Sequence, residues 1–196
     1  MTSAALNNFL FQYQEFTNEV KNGKKREQHR VRYDRAFRQS GNMLSAQLSV
    51  IDGYIDDVDM ESVSLFSKSI FEQLNPQHPT RKSWSESLKK EMLEEQHHEC
   101  NNPRCRKHLS TIHDCEFDHI VPHTIAFDTL GTMNLQILCP ECNQSKGDKI
   151  VPWAVKILAK RIQEKGNKVI GAQDIVFEQQ SFSLEGGDTP TTYVSL

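Results

Sequence analysis

The chain has 196 residues and a formal net charge of −3, which allows one compact domain or a small domain with a large helical extension. No run approaches the roughly 18 apolar residues of a membrane-spanning helix, and the first residues lack the basic region and apolar core of a secretory signal. These features exclude a membrane-spanning helix and predict a cytoplasmic location. Five cysteines, four of them in close pairs, favour metal binding over a disulfide framework.

Residues 4–20 predict a first helix, because apolar side chains recur there at helical intervals. They are Leu6, Phe9, Leu10, Tyr13, Phe16 and Val20. Residues 43–75 are predicted to be helical as well, with a second stripe that comprises Val63, Phe66, Ile70 and Leu74. An acidic stretch from Asp52 to Glu61 predicts a solvated face or turn, and it leaves room for a regulatory or targeting protein partner.

A basic run lies between these two helical segments, from Lys21 to Arg38. It has eight basic and two acidic residues, so its local charge is eight minus two, or +6. Such a run is often a solvated helix face, but it also suits nucleic-acid phosphates, and the sequence leaves both interpretations open. The predicted DNA contacts in this run are Lys24, Lys25, Arg26 and Arg30.

Two prolines, Pro76 and Pro79, predict a linker or sharp turn from Asn75 to Lys82. A domain boundary there divides the chain into a helical N-terminal region (1–80), a central module with flanking helices (81–168) and a short strand-like segment with a mobile tail (169–196). The oligomeric state stays open.

A helix is predicted on each side of the central module. Ser83 and Glu86 form a capping box for the first helix, and Pro152 begins the second, which Gly166 ends. The second helix is expected to face solvent through Lys156, Lys160, Arg161 and Lys165. Strand-like segments follow at residues 168–170 and 174–178.

Four cysteines in the central module have zinc-ligand spacing. Cys100 and Cys105 are spaced C-x4-C, and Cys139 and Cys142 are spaced C-x2-C, so each pair can bind the same tetrahedral zinc from a short turn. The interval between the pairs exceeds the roughly 15–20 residues of an ordinary four-cysteine module. We therefore predict a structural zinc site that encloses a further element. The fifth cysteine, Cys115, is expected to be a small buried residue.

The enclosed element is predicted to begin with a short strand that Pro122 ends. Its residues alternate between two faces, with Phe117 and His119 on one and Asp118 on the other. Residues 134–138 predict a returning strand, which gives a hairpin over the metal. Residues 143–149 then predict a helix start, because Asn143 and Ser145 can cap free amides.

This segment resembles the HNH endonucleases with a ββα-metal fold, including their zinc-clasped subgroup. Order, spacing and residue type agree over about 50 residues. The matching pieces are Asp118 to Pro122, Asn134 to Gln136, Leu138 to Asn143, and Lys146 to Asp148. The last letter of the signature, often histidine, is Asn143 here, and asparagine is also a common variant. The resemblance implies an α+β protein with an HNH nuclease module that hydrolyses DNA and leaves 5′ phosphate and 3′ hydroxyl ends.

The residue types fit phosphodiester hydrolysis. His119 suits the general base, because its ordinary pKa near 6.5 leaves much of it neutral at physiological pH. Asp118 and Asn143 offer hard oxygen ligands for a catalytic magnesium or manganese ion. The resemblance further implies that Asn134 braces the loop that carries His119. Lys146 and Lys149 complete the predicted nucleic-acid contacts.

Alternatives remain at this stage. Five further histidines can replace a cysteine on zinc or touch phosphate, although each is expected to be structural or solvated: His97, His98, His108, His113 and His123. We expect a nuclease of prokaryotic restriction or anti-phage defence. The alternative is a catalytically inactive, zinc-stabilised module that binds DNA or a protein.

Overall fold

The computed structural model of the protein describes residues 1–55, 59–75 and 83–170, with side chains described up to residue 165. It is mostly helical with one small two-stranded sheet, so the predicted α+β class is confirmed. Every helix in these ranges is too short or too polar to cross a lipid bilayer.

Five helices form the N-terminal part. They are α1 (Ser3–Val20), α2 (Gly23–Ser40), α3 (Met43–Ile51), α4 (Met60–Leu65) and α5 (Ser67–Leu74). The predicted first helix is confirmed, and all six residues of its apolar stripe are buried. The second predicted segment is also helical and buries its stripe, but it is divided into three short helices. The predicted linker at 75–82 lies, apart from its first residue, outside the described residues.

Local hydrogen bonds separate α1, α2 and α3. The side chain of Asn22 accepts hydrogen bonds from the first amides of α2, and Asn42 does the same for α3. Gly41 ends α2 at a φ of +62°, a conformation that glycine adopts without the steric cost of a side chain. The basic run is therefore part of one regular helix.

The helix before the central module is α6 (Glu86–Glu95). Its predicted cap was wrong by two residues, because Ser85, not Ser83, accepts the hydrogen bond from the backbone N–H of Leu88. Trp84 therefore precedes the helix, although it still packs with Leu88 against the core of the module.

The predicted hairpin is confirmed. Strand β1 (Glu116–His119) pairs antiparallel with β2 (Leu135–Leu138), and Asp118 lies opposite Gln136. Between the strands lie α7 (His123–Ala126) and a 3-10 helix (Gly131–Asn134), so Asn134 precedes β2 instead of beginning it.

The third element of the ββα unit is α8 (Pro140–Lys146). Its predicted start was wrong, because Cys139 is the N-cap and Pro140 occupies the first turn. Asn143 and Ser145 are consequently interior residues of the helix and do not cap it.

The last described helix is α9 (Pro152–Ile170), which begins at the predicted proline but does not end at Gly166. Residues 168–170 are thus helical and not a strand, and residues 174–178 lie outside the described residues. Arg161 was also predicted wrongly as a solvent-facing residue. Its guanidinium donates to the backbone oxygens of Met133 and Leu135 and is partly buried.

The buried apolar residues form two clusters. One joins the N-terminal helices and α9 to Ile120, Val121 and Ile125 in the central module. The other surrounds the cysteines and β2. Two side chains of α5 add polar links, because Ser69 donates to the backbone oxygen of Ile125 and Gln73 to that of Thr124. The loop that follows His119 is therefore fixed by the N-terminal helices.

Candidate metal centre and active site

Four cysteine sulfurs converge at the base of the hairpin. Those of Cys100, Cys105, Cys139 and Cys142 all lie within 4.8 Å of one another, and the Cys105 and Cys139 sulfurs are 3.9 Å apart. A tetrahedron with zinc–sulfur bonds of about 2.3 Å has edges of roughly 3.8 Å. The four-cysteine cluster is therefore compatible with a zinc ion.

The surroundings of the cluster also fit a bound cation. Burial raises the pKa of the Cys139 thiol to about 11 and also raises that of Cys100 and Cys142, because thiolates lose hydration there. A divalent cation offsets that cost by supplying opposite charge. The backbone N–H of Cys139 donates to the Cys100 sulfur, and the Asn102 amide donates to the Cys142 sulfur.

Other predicted zinc ligands are not part of this group. Among the residues that the structure describes, the four cysteines are the only His, Cys, Asp or Glu cluster with metal-ligand geometry. Cys115 is buried outside it and interacts through its sulfur with the backbone oxygens of Thr111 and Ile112, which confirms it as a buried structural residue.

A row of polar side chains joins β1 to α8. Glu116 and Asp118 are two residues apart on one face of the strand, and Asn143 and Lys146 are three residues apart on one face of the helix. The Asn143 amide donates to the Glu116 carboxylate at 2.5 Å, and the Lys146 ammonium lies 3.1 Å from the Asp118 carboxylate. The matched spacing brings the two predicted metal ligands to the same side of the hairpin.

Asp118 is almost completely buried and has three partners, Gln136, Lys146 and the backbone N–H of His119. Gln136, its neighbour across the hairpin, donates to one carboxylate oxygen at 2.7 Å, and Lys146 contacts the same group. Burial raises the pKa of Asp118, while the positive charge of Lys146 acts in the opposite direction. A carboxylate has about four lone-pair sites, and these donors occupy most of them.

Asn134 clamps the backbone immediately after His119. Its side-chain oxygen accepts from the backbone N–H of Val121 at 2.7 Å, and its amide donates to the backbone oxygen of Val121 at 2.8 Å. The backbone oxygen of Asn134 accepts from Ile120. These three bonds hold the chain in one conformation beyond β1, which is the bracing arrangement that the resemblance implies.

His119 is itself buried, with 4% of its surface exposed. Its backbone oxygen accepts from Lys146 at 2.7 Å. Its ring lies against that of His123, with 5.5 Å between the ring centroids, and His123 in turn is 3.8 Å from the Asp128 carboxylate. The imidazole therefore occupies a defined position at the end of β1, against the His123 ring.

The predicted DNA contacts occupy two places. Lys24, Lys25 and Arg30 are exposed on α2, where Arg26 is partly exposed. Lys149 is exposed after α8, whereas Lys146 is buried with 4% exposure. In this arrangement Lys146 is not a surface cation, because Asp118 and the His119 backbone oxygen hold its ammonium inside the module.

Sequence reasoning missed two residues of the site, Glu116 and Gln136. Both follow from the hairpin, because Glu116 shares a face with Asp118 and Gln136 lies opposite it. Their signal was the alternation and register of the two strands. Gln136 belongs to one of the matching motif pieces, but the motif does not show that it lies opposite Asp118.

The position of these residues coincides with a family match. Residues 99–149 match the family model described as HNH endonuclease. The segment is an HNH domain. The match contains the four cysteines, the hairpin and α8, and it leaves the N-terminal helices and α9 outside. Comparison of the chain with curated proteins and with solved structures gave no match.

Proposed function

We propose that the protein is a metal-dependent endonuclease that hydrolyses DNA phosphodiester bonds. The observation that carries this proposal is the coincidence of the HNH match with the buried His119, whose following loop Asn134 braces, and with Asp118 next to it in the same strand. A nuclease needs such a set, because hydrolysis requires a base for water and positive charge against the phosphate.

In the proposed mechanism His119 takes a proton from the attacking water. Asn134 fixes the loop that carries the imidazole, through its two bonds to Val121. Lys146 holds the end of β1, because it contacts both the side chain of Asp118 and the backbone of His119. These contacts keep the base in one orientation while the substrate phosphate is positioned above the hairpin.

Two kinds of metal ion are proposed. The four cysteines hold a structural zinc, whose binding stabilises the base of the hairpin. Asp118 and Asn143 are the proposed ligands of a catalytic magnesium or manganese ion. Such an ion supplies positive charge against the scissile phosphate and the leaving oxygen. The donor set fits this ion class, because both residues offer hard oxygen atoms and few of them, with the rest left to water and phosphate.

DNA is the proposed substrate, and exposed cations are the proposed phosphate contacts. Lys149 follows α8 directly, while Lys24, Lys25 and Arg30 lie on α2. We also infer a role in prokaryotic restriction or anti-phage defence, with a regulatory or targeting protein as a partner. The support for that role is the resemblance of the HNH segment to small HNH nucleases alone. It is tested by counting phage plaques on cells that express the wild-type protein or its His119→Ala variant.

The nuclease proposal is tested by plasmid cleavage across a magnesium titration, with the zinc content measured in parallel. His119→Ala removes the proposed base but no proposed metal ligand, so the rate should fall by roughly 10²–10⁴ while DNA binding persists. Asn143→Ala should instead shift the response toward higher magnesium concentrations, because it removes a ligand from a site that has few.

Gln144→Ala is the matched control, since Gln144 is an exposed residue of the same helix. It should cut at the wild-type rate, and all three variants should keep their zinc. A mock purification from cells without the gene measures contaminating nuclease. Cleavage by His119→Ala at the wild-type rate above that background would favour the inactive DNA-binding or protein-interaction module.

A further inference from the structure

Helix α2 contacts the rest of the protein through a narrow strip. Of its 18 residues only His29 and Tyr33 are buried, whereas α1, of the same length, buries seven. His29 packs edge-on against Phe16 and hydrogen-bonds to Tyr54, and Tyr33 packs against Phe71. These contacts fix the helix to the surface and leave most of its circumference exposed.

The side opposite the buried strip carries a regular row of exposed residues. They are Lys24, Gln28, Val31, Arg35 and Arg38, spaced by four, three, four and three positions. This spacing aligns side chains along one face of a helix. Val31 lies at the centre of the row and exposes 46% of its surface.

Charge is unevenly distributed between α2 and the remainder of the chain. The helix has seven lysines and arginines and two acidic residues, so its charge is seven minus two, or +5. The whole chain carries −3, so the remainder carries −3 − 5, or −8. An anionic partner is therefore attracted to this helix and repelled by much of the remaining surface.

We propose that α2 lies in the major groove of duplex DNA and reads base pairs through this row. The side-chain chemistry matches base edges, because glutamine pairs with adenine, arginine with guanine, and an apolar side chain contacts the thymine methyl. Gln28, Val31 and Arg35 form the centre of the row and are the reading residues. The inference rests on the proposed function only in taking DNA as the substrate.

The length of the row agrees with a short recognition site. From Lys24 to Arg38 the helix rises 14 residues, which is about 21 Å at 1.5 Å per residue. At roughly 3.4 Å per base pair this covers about six base pairs. Lys24 and Arg38 lie at the two ends, where the groove gives way to the phosphate backbones.

Cations beside the row can bind the phosphate backbones of the DNA. Lys25 and Arg32 lie on one side of it, and Arg30 lies on the other. Acidic neighbours already neutralise part of this charge, because Glu27 pairs with Arg30 at 2.8 Å and Glu19 with Lys25 at 3.0 Å. Phosphate contacts position a protein on DNA without reading the sequence. We therefore assign sequence specificity to the residues of the row, and general affinity for DNA to the cations on its two sides.

The test is a binding selection with the full-length, zinc-loaded protein, a pool of random-sequence DNA duplexes, and magnesium omitted. The proposal expects an enriched motif of about three base pairs, because the reading residues from Gln28 to Arg35 span about 10.5 Å of the helix. Gln28→Ala and Arg35→Ala should each relax the preference at one motif position, with a loss of discrimination of roughly 5- to 150-fold. Binding of unrelated duplexes should change little.

Arg30→Ala is the matched control from the same helix. It should weaken binding to motif and non-motif duplexes alike and reduce the dependence on salt, by a slope of about 0.9 for a lost phosphate contact. Far-ultraviolet circular dichroism and melting compare the folding of all variants. All three positions are exposed, so substitution there should leave the fold intact.

Several outcomes would overturn the proposal. One is a selection without an enriched motif, and another is a motif that Gln28→Ala and Arg35→Ala leave unchanged. A third is a change in sedimentation mass on substitution with no change in DNA preference, which assigns the row to a second copy of the chain. Plasmid cleavage is scored separately, so a protein that cuts without sequence preference refutes this inference alone. A protein that selects a motif but does not cut refutes only the nuclease.

Discussion

Lys146 provides the most direct test of how the site is held together. Its ammonium is 3.1 Å from the Asp118 carboxylate and 2.7 Å from the His119 backbone oxygen, and both ion-pair partners are buried. Lys146→Met keeps most of the side-chain volume but removes the charge and the donors. The free energy of unfolding that this variant loses should therefore come mainly from the broken ion pair, with little contribution from a new cavity.

The expected loss of stability is large for a single substitution. Removal of one partner from a buried ion pair typically costs about 3–5 kcal/mol, because the remaining charge is buried without compensation. Asp118 keeps its bond from Gln136, which favours the lower end of that range. Lys149→Met should stay within about 0.5 kcal/mol of wild type, because Lys149 is an exposed lysine in the same segment.

The measurement is urea unfolding of the zinc-loaded proteins in a double-substitution cycle. Lys146→Met and Asp118→Asn are compared singly and together, with Lys149→Met as the control. The double variant should regain much of the stability that Lys146→Met loses, because it no longer contains an unpaired carboxylate. Part of the loss should persist, since the bond to the His119 backbone oxygen is not restored.

Two results would contradict this account. The first is a Lys146→Met variant as stable as Lys149→Met, which would mean that the ammonium contributes nothing inside the module. The second is a double variant whose loss equals the sum of the single losses, since partners in direct contact should couple by about 0.5–3 kcal/mol.

Further predictions concern the zinc cluster, the loop clamp and the basic helix. Cys139→Ser should lose zinc in elemental analysis and should melt at a lower temperature than Cys115→Ser, because only the first residue belongs to the four-sulfur cluster. Asn134→Ala should lower the plasmid-cleavage rate constant more than the affinity for DNA in a binding titration, because it frees the loop after His119 without removing a surface cation. His29 has a pKa below its usual value, chiefly through burial and also through Arg32, against the opposing charge of Glu19. The unfolded chain therefore binds this proton more readily, and stability present above about pH 6.5 should decline as the pH falls below it. His29→Phe should flatten that decline in urea unfolding between about pH 7 and pH 5.5.

The features that sequence predicted correctly depend on local periodicity and spacing. The buried stripe of α1 repeats at helical intervals, and the paired cysteines are a few residues apart, so both are visible in short windows of sequence. The hairpin was predictable for a similar reason. Alternation around Asp118 defined one strand, and the run that ends at Cys139 defined the other.

The boundaries that sequence missed depend on competition between nearby residues. Ser83 and Ser85 are both good caps, and the structure uses Ser85, whose side-chain oxygen accepts the hydrogen bond from the Leu88 N–H. Asn143 is also a good cap, but Pro140 starts α8 one turn earlier, and this places Asn143 beside Glu116. Composition cannot decide between such alternatives, because each satisfies the same local rule.

Interior cations are missed for a different reason. Lys146 and Arg161 look like surface residues in sequence, because both belong to basic, solvent-facing patterns. Their partners are backbone oxygens and a carboxylate that lie 26 to 28 positions away along the chain. Only the folded arrangement of hairpin and helices brings those groups close enough to compensate the buried charge.

The N-terminal helices bear directly on the candidate active site, whatever their role with DNA. Ile120 and Val121 follow the proposed base directly and belong to the same buried cluster as the side chains of α1 and α5. Ser69 and Gln73 also bind the backbone of the next turn. The boundary near residue 80 stays a prediction. A fragment that begins there would nevertheless expose this apolar surface and lose both polar links, so the HNH segment is expected to need the helical region in order to hold His119 in place.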